Sequence, residues 1–139
     1  MSIKELTSLT EIKKLFNLYL EIYKNLSKDK FHETITWMHA NNLKFITYSE
    51  NKKALAAAIY WQGYRFHCGQ YIQIDSLIVS KNHRNKKIAQ KLLNYVENIA
   101  IEKNIAFYCL DVYSNNSKAI KLYSSQNFAI KCFHMMKKI

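Results

Sequence analysis

Residues 83–93, HRNKKIAQKLL, bring Arg84, Lys86 and Lys87 to the point where a polar turn runs into an amphipathic helix. The first turn of a helix already presents unpaired N–H groups and a partial positive charge. Three further cations there are unfavourable unless an anion sits on them. The strand-like run QYIQIDSLIVS, 70–80, leads into this turn. Strand, basic turn and helix N-terminus together read as a phosphate cradle, in which backbone N–H groups converge and side-chain charge adds to them. The glycine-rich loop of the P-loop kind and the dinucleotide fingerprint are both missing, which argues against ATP and NAD.

Other chemistry-bearing residues exclude more than they assign. His67, His83 and His134 lack metal-ligand spacing, so no metal site is expected. Cys68, Cys109 and Cys132 are odd in number, far apart and set in apolar runs, so they read as ordinary buried thiols in a reducing compartment. No Ser–His–Asp or Cys–His nucleophile is indicated. Asp75 sits among apolar neighbours, where desolvation would raise its pKa toward a value useful for accepting a proton. The same carboxylate could equally satisfy backbone or a basic neighbour.

The elements that must position these residues follow from hydrophobic periodicity. Ser8 and Glu11 have capping-box spacing, and Ile12, Leu15, Phe16, Tyr19, Tyr23 and Leu26 then recur at helical period. A shorter helix after Asp29 buries Phe31, Ile35 and Met38 and stops at Asn41-Asn42. Residues 43–49 and 54–62 read as strands around the turn ENKK, and GYRFHCG, with both glycines, reads as a bend before the strand 70–80. The helix after the basic turn carries Ile88, Ala89, Leu92, Leu93, Val96 and Ala100 on one side, with Asn104 as its stop. Residues 105–113 form a nearly continuous apolar run, as expected of a strand covered on both faces. A short helix over 115–126, capped by Asn115, Asn116 or Ser117, and a closing strand over 128–138 complete the chain. The order predicts an α/β fold with a mixed sheet and one βαβ crossover.

The chain has 139 residues, 49% apolar and 22% charged, which suits a single domain over 1–139 with a real core. It contains no Pro and two Gly, so turns must use Asn, Ser and Lys. Twenty-one basic against 10 acidic residues give a net charge of +11, which favours an anionic ligand without choosing one. The N-terminus reads as no signal peptide, and no apolar run is long enough to cross a bilayer; a cytoplasmic protein with no membrane partner is expected.

Two stretches resemble the GNAT superfamily of acyl-CoA-dependent N-acyltransferases. RNKKIA at 84–89 is similar to its pyrophosphate-binding motif, with Arg84 and Ala89 matching and Lys87 where Gly is usual. LDVYSNNSKAIKLYSSQNF at 110–128 follows the next segment: Leu110, Val112, Asn116, Ala119, Ile120, Leu122, Tyr123 and Phe128 fall in register. Asn127 replaces a Gly, a mild change because Asn tolerates left-handed backbone. The resemblance covers residues 43–139. It implies a mixed, mostly antiparallel twisted sheet flanked by helices, with a βαβ acetyl-CoA-binding core.

It also implies roles. Backbone at Leu77, Ile78 and Val79 would pair with the pantetheine arm of CoA. Amides of Asn85, Lys86, Lys87, Ile88 and Ala89 would hold the pyrophosphate, with Arg84 and Gln90 in reach. Lys87 is expected in helical backbone, where Gly is not required. Asn116 would hydrogen-bond the pantetheine region, and Ala119 would leave room for it. Tyr123 lies seven residues after Asn116, about two helical turns along one face. On spacing alone it is a core aromatic; the resemblance makes it the general acid for the departing thiolate. The strand position that supplies a Glu base in some relatives falls on Gln73. Asp75, on the same face by alternation unless a bulge turns it, and Asp111 are the candidate bases. Phe16, Tyr19 and Tyr23, with Trp37 and Trp61, are candidate edges of an acceptor pocket.

The implied reaction is acetyl transfer from acetyl-CoA to a primary amine, most simply of a small molecule, by direct attack. A protein N-terminus or a charged tRNA is the alternative acceptor. A non-enzymatic basic RNA-binding module is the alternative class, although nucleic acid is not the expected partner. A homodimer is compatible with the reading.

Overall fold

The computed structural model describes residues 2–139. Five strands form one sheet in the order β1 (Ser2–Leu6), β2 (Lys44–Glu50), β3 (Lys53–Arg65), β4 (Gly69–Val79) and β5 (Phe107–Leu110). All neighbours are antiparallel except β4 and β5, which run parallel and are joined through the helix that fills the crossover. The predicted mixed sheet with one βαβ unit is therefore observed.

Helices cover both faces. On one side, α1 (Leu9–Lys13), α2 (Phe16–Leu20) and α3 (Lys28–Ala40) bury Ile12, Leu15, Leu18, Tyr19, Phe31 and Ile35 against Phe45, Ala57, Ile59 and Ile78 of the sheet. On the other, α4 (Ile88–Glu102) buries Ile88, Leu92, Leu93, Val96 and Ala100 against Ile46, Ala56, Ala58, Tyr60, Ile72 and Ile74. Tyr123 of α5 (Ser117–Ser125) packs onto this second cluster beside Tyr108 and Leu110. The stripe along α4 is the one predicted, with Ala89 at its half-buried edge. Among the described residues no helix is long and apolar enough to cross a membrane.

Asparagine ends the helices. Asn42, Asn104 and Asn127 all have positive φ, near 64, 55 and 67°. In each case the next residue's N–H reaches back to a carbonyl in the last turn: Leu43 to Met38, Ile105 to Ala100 and Phe128 to Tyr123, at 2.8–3.0 Å. This is the Schellman arrangement, here without glycine. At the start of α1 the predicted Ser8 cap is present, its Oγ accepting from the Glu11 N–H, while the return bond of the capping box falls one residue earlier, Glu11 Oε2 accepting from the Thr7 N–H.

Four expectations need correction, and one strand is additional to those expected. The first helical pattern breaks at Lys14–Leu15 into α1 and α2, and Tyr23 and Leu26 lie beyond both. Residues 2–6 form an edge strand, too short and too charged to signal itself. Gly63 is inside β3 rather than at a bend; a Cβ there would meet the Tyr71 hydroxyl at 2.7 Å, so glycine admits the cross-strand tyrosine. β5 is limited to 107–110, and Phe107 is exposed rather than covered. Residues 128–138 form no strand: beyond Phe128 no backbone–backbone hydrogen bond is made, and Phe133 and Met135 are 90% and 91% exposed. Apolar alternation marks what a segment could pair with, but the ladder itself needs a partner edge.

Candidate active site

The site begins with a bulge. Along β3 and β4, Ile59 pairs with Ser76 but Tyr60 pairs with Ile74, so Asp75 is an extra residue. The insertion inverts the alternation of β4. Ile72 and Ile74 face α4 before it, and Leu77 and Val79 face α4 after it. On the opposite face lie Gln73, Ser76 and Ile78; Ser76 Oγ meets the Tyr19 hydroxyl at 3.4 Å. Asp75 interacts electrostatically with Tyr19 and Asp111, which puts it on that same face. The bulge therefore keeps Asp75 with Gln73 and redirects the residues that follow.

At the same point the parallel ladder stops. Its last pair is Ile74 with Leu110, while β4 continues to Val79. Residues 75–79 keep β3 on one side and lose their partner on the other. Strand backbone left open in this way needs hydrogen-bond partners from elsewhere. Leu77, Ile78 and Val79 all lie on this open edge. Arg84 Nε donates to the Val79 carbonyl at 3.4 Å and so closes its far end.

The basic turn lies directly beyond. Glu21, at the C-terminal end of α2, accepts from Ser80 Oγ at 3.1 Å and from the Lys81 N–H at 2.8 Å, and the Ser80 N–H donates to Leu55. These contacts fix where β4 turns. Asn85 and Lys87 both have left-handed backbone, φ 61 and 58°. Lys87 is the N-cap of α4 and makes no side-chain cap, so the N–H groups of the first helical turn point outward unsatisfied. The expectation of helical backbone at Lys87 fails: the chain reverses here, and that turn requires a positive φ. His83 Nδ1 is also buried without a partner. An open strand edge, free helix N–H groups, the cations Arg84, Lys86 and Lys87, and an orphaned imidazole nitrogen together suit a pyrophosphate with an amide-bearing arm.

α5 brings up the other wall. Asn116 caps it, its Oδ1 accepting from the Ala119 N–H at 3.1 Å, which leaves Nδ2 free. Tyr123 is half-buried, and its ring meets Phe128 edge-on at 6.0 Å between centroids. Phe128 also packs on Tyr108, whose hydroxyl donates to the Leu93 carbonyl. Burial holds the Tyr123 phenol above its ordinary pKa of 10, so it stays protonated.

On the opposite face the α1–α3 layer covers only part of the sheet. Beyond it lie Trp61, cross-strand from Gln73 and edge-on to Tyr71, and then the polar chain Arg65–Gln73–Asp111. Asp75 as a whole residue is exposed, yet its carboxyl is held above the usual range, chiefly by desolvation and secondarily by Asp111. Trp37 is exposed on α3, and Tyr23 is exposed with its ring stacked on Tyr19. Of the cysteines, Cys132 is exposed and Cys68 and Cys109 half-buried, so none is a core thiol. Glu21, Arg65 and His134 carried no sequence signal, because each reaches its partner across long chain separations.

With this geometry in hand, the comparisons are specific. The acetyltransferase (GNAT) family profile matches residues 12–128. The chain belongs to the GNAT family. GNAT enzymes use acetyl-CoA as the acyl donor. A solved structure of a possible acetyltransferase from Clostridium difficile 630 is 26% identical, with TM-score 0.78 over 99% of this chain and 96% of that one. A ribosomal-protein-alanine N-acetyltransferase from Brucella melitensis biovar Abortus 2308 is 17% identical, with TM-score 0.84 and full coverage of both chains. An aminoglycoside N-acetyltransferase solved in complex with CoA is 13% identical, with TM-score 0.83 over 99% of this chain and 93% of that one. A comparison with curated proteins yields no match.

Two outcomes follow from the backbone and charge of the site. Left-handed backbone costs a non-Gly residue roughly 1–2 kcal/mol, part of which glycine's extra unfolded-state entropy takes back. Lys87→Gly should therefore raise stability by about 1 kcal/mol in urea denaturation, whereas Lys87→Ala should not. A Gly variant less stable than wild type would show that the turn is not left-handed.

Asp75 has a raised pKa in the fold, so the folded state holds its proton more tightly. The stability this contributes is present at low pH and is lost as pH rises through the folded value. Asp75→Asn should match wild type in acid and gain over it from the ordinary value of 3.8 upward. Denaturation midpoints compared across that range measure the gain, and parallel pH curves would refute it.

Proposed function

We propose that this GNAT acetyltransferase moves an acetyl group from acetyl-CoA to a primary amine of a small molecule, by direct attack in a ternary complex. The fork between β4 and β5 carries this reading. Beyond Ile74 and Leu110 the sheet is open, with Tyr123 on the α4 side and Asp75 and Asp111 on the other.

When bound, acetyl-CoA supplies a thioester whose carbonyl carbon a neutral amine can attack. The chain's own residues then divide the work. The N–H groups of Ile88, Ala89 and Gln90, with the turn at Asn85, Lys86 and Lys87 and the Arg84 guanidinium, hold the pyrophosphate. Open backbone at Leu77, Ile78 and Val79 pairs with the amides of the pantetheine arm. The free Nδ2 of Asn116 donates to that arm, and Ala119, with its small side chain, leaves space. Tyr123, kept protonated by burial, gives its proton to the departing thiolate sulfur. Asp75 and Asp111 supply a negative potential that draws an ammonium to the opening. Trp61, half-buried and cross-strand from Gln73, lies on the same side.

The aminoglycoside acetyltransferase relative favours a small cationic acceptor. The ribosomal-protein-alanine relative favours a peptide N-terminus. The two carboxylates beside the fork, Asp75 and Asp111, support the first. Calorimetric titration with acetyl-CoA, followed by a panel of primary amines and N-terminal peptides monitored for free thiol, tests the function.

The double variant Lys86→Glu, Lys87→Glu should weaken acetyl-CoA binding by about 1–3 kcal/mol, the scale of charge-assisted hydrogen bonds. Unchanged affinity in the folded variant would exclude the turn as the pyrophosphate site. Tyr123→Phe keeps the packing against Phe128 and removes only the hydroxyl. It should lower kcat by roughly 10²–10⁴-fold with acetyl-CoA affinity intact. Turnover at the wild-type rate would make Tyr123 a packing residue only.

A further inference from the structure

A continuous set of side-chain contacts runs from β3 across β4 to Asp111, just past the end of β5, and on to His134, on the acceptor side of the opening. Arg65 Nη2 donates to Gln73 Oε1 at 2.9 Å, and the Arg65 guanidinium also lies over the Tyr71 ring at 3.9 Å. With its oxygen engaged, the Gln73 amide turns Nε2 toward Asp111 Oδ2, at 3.5 Å. The same Oδ2 meets His134 Nδ1 at 3.2 Å. The carboxylate is thus held from two sides, and it faces one particular nitrogen of the imidazole. A carboxylate at Nδ1 favours the tautomer with the proton there, leaving the Nε2 lone pair free. The His134 and Asp111 side chains are 62% and 59% exposed, so an exposed ion pair contributes little to stability while the ring stays in contact with water.

We infer that His134 is the base of the acetyl transfer and that Asp111, Gln73 and Arg65 position it. The inference rests on the acetyl-transfer reading above. In the step, one N–H bond of the acceptor's ammonium breaks. Its proton goes to His134 Nε2, and the electron pair stays on the amine nitrogen, which then attacks the thioester carbonyl. The C–N bond forms, and the C–S bond breaks with its electron pair on sulfur. The thiolate takes the Tyr123 proton, and the second N–H proton of the new amide nitrogen restores the Tyr123 hydroxyl. The imidazolium formed at His134 is held by Asp111 and returns its proton to solvent. Asp75 takes the electrostatic part, attracting the ammonium. Gln73 thereby gains a function as an amide: it orients a carboxylate where a Glu in its place would repel one. The imidazole meets Asp111, the residue just past β5; behind Asp111 lie Asp75 and Gln73 on β4 and, through Gln73, Arg65 on β3, while Lys131, Cys132 and Lys137 are the titratable residues of its own segment.

The test joins a structural and a kinetic measurement on the full chain. Long-range ¹H–¹⁵N correlation spectra, with the His134 signal assigned by its loss in His134→Gln, report the tautomer of the neutral ring. Wild type should show the proton on Nδ1, and Asp111→Asn should shift the ring toward Nε2–H. An Nε2–H ring in wild type, or no change in Asp111→Asn, overturns the inference. In thiol-release assays with acetyl-CoA and the primary-amine panel, His134→Gln should lower kcat/KM by roughly 10²–10⁴-fold. It should also remove the limb that rises with pH, with KM for acetyl-CoA unchanged. A surviving limb at the wild-type rate overturns it. If wild type itself releases no thiol with any amine, the acetyl-transfer reading fails instead, and the tautomer still decides whether Asp111 and His134 form the unit.

Discussion

Everything at the site depends on one extra residue in β4. Two parallel strands that stayed in register to Val79 would close the sheet and satisfy each other's backbone. Asp75 prevents this. The bulge adds local twist and inverts which side chains face which helix layer. Leu77 and Val79 can then seal the α4 core while residues 75–79 leave β5. The cost is a row of backbone groups without ladder partners, and this row is what a cofactor arm with its own amides can use. Fold and site therefore share one feature: the irregularity that weakens the sheet creates the slot.

The second constraint is the scarcity of glycine. Eight described residues have positive φ, and one of them, Gly69, is a glycine; the rest are Asn or Lys. Asparagine serves the three helix ends at little cost, because its short polar side chain tolerates the left-handed region. Lys52 and Lys87 have no such excuse. Lys52 sits in a hairpin turn between β2 and β3, where Asn51 shares the strain. Lys87 opens α4 at the proposed anion site, where its charge adds to that of Arg84 and Lys86. A strained residue at the mouth of a binding turn fits a site in which ligand charge offsets a conformational cost.

Legibility in the sequence tracked how local the physics is. The capping box at Ser8, the stripe on α4, the asparagine stops and the 110–128 segment are set by residues within a few turns of each other, and all could be read. The break between α1 and α2 could not, because Phe16 to Leu26 keep helical spacing and tertiary packing decides where the chain turns. Lys87 was misread because a helical pattern right after it hides the reversal. The extent of β5 and the course of residues 128–139 depend on which edge they meet, and periodicity carries no information about that. The polar chain from Arg65 to His134 joins positions 8, 38 and 23 residues apart. Each member alone is an ordinary surface residue, so only the fold brings them together.

The charge distribution follows the same division across the sheet. The chain carries +11 overall, yet the opening is not uniformly basic. Arg84, Lys86 and Lys87 gather where an anionic donor would dock, and Asp75 and Asp111 gather where a cationic acceptor would approach. A strand edge separates the two, and in the proposed reaction the partners would meet at the fork between them. Opposite potentials on either side of a narrow gap favour the right orientation of each partner and disfavour exchange between their sites. The raised carboxyl of Asp75 belongs to this arrangement. Two carboxylates held near each other in a partly desolvated cleft repel, and a bound ammonium relieves both the repulsion and the lost hydration. An ammonium docked there as proposed would offset the desolvation and the Asp111 charge that hold the Asp75 carboxyl above its usual range.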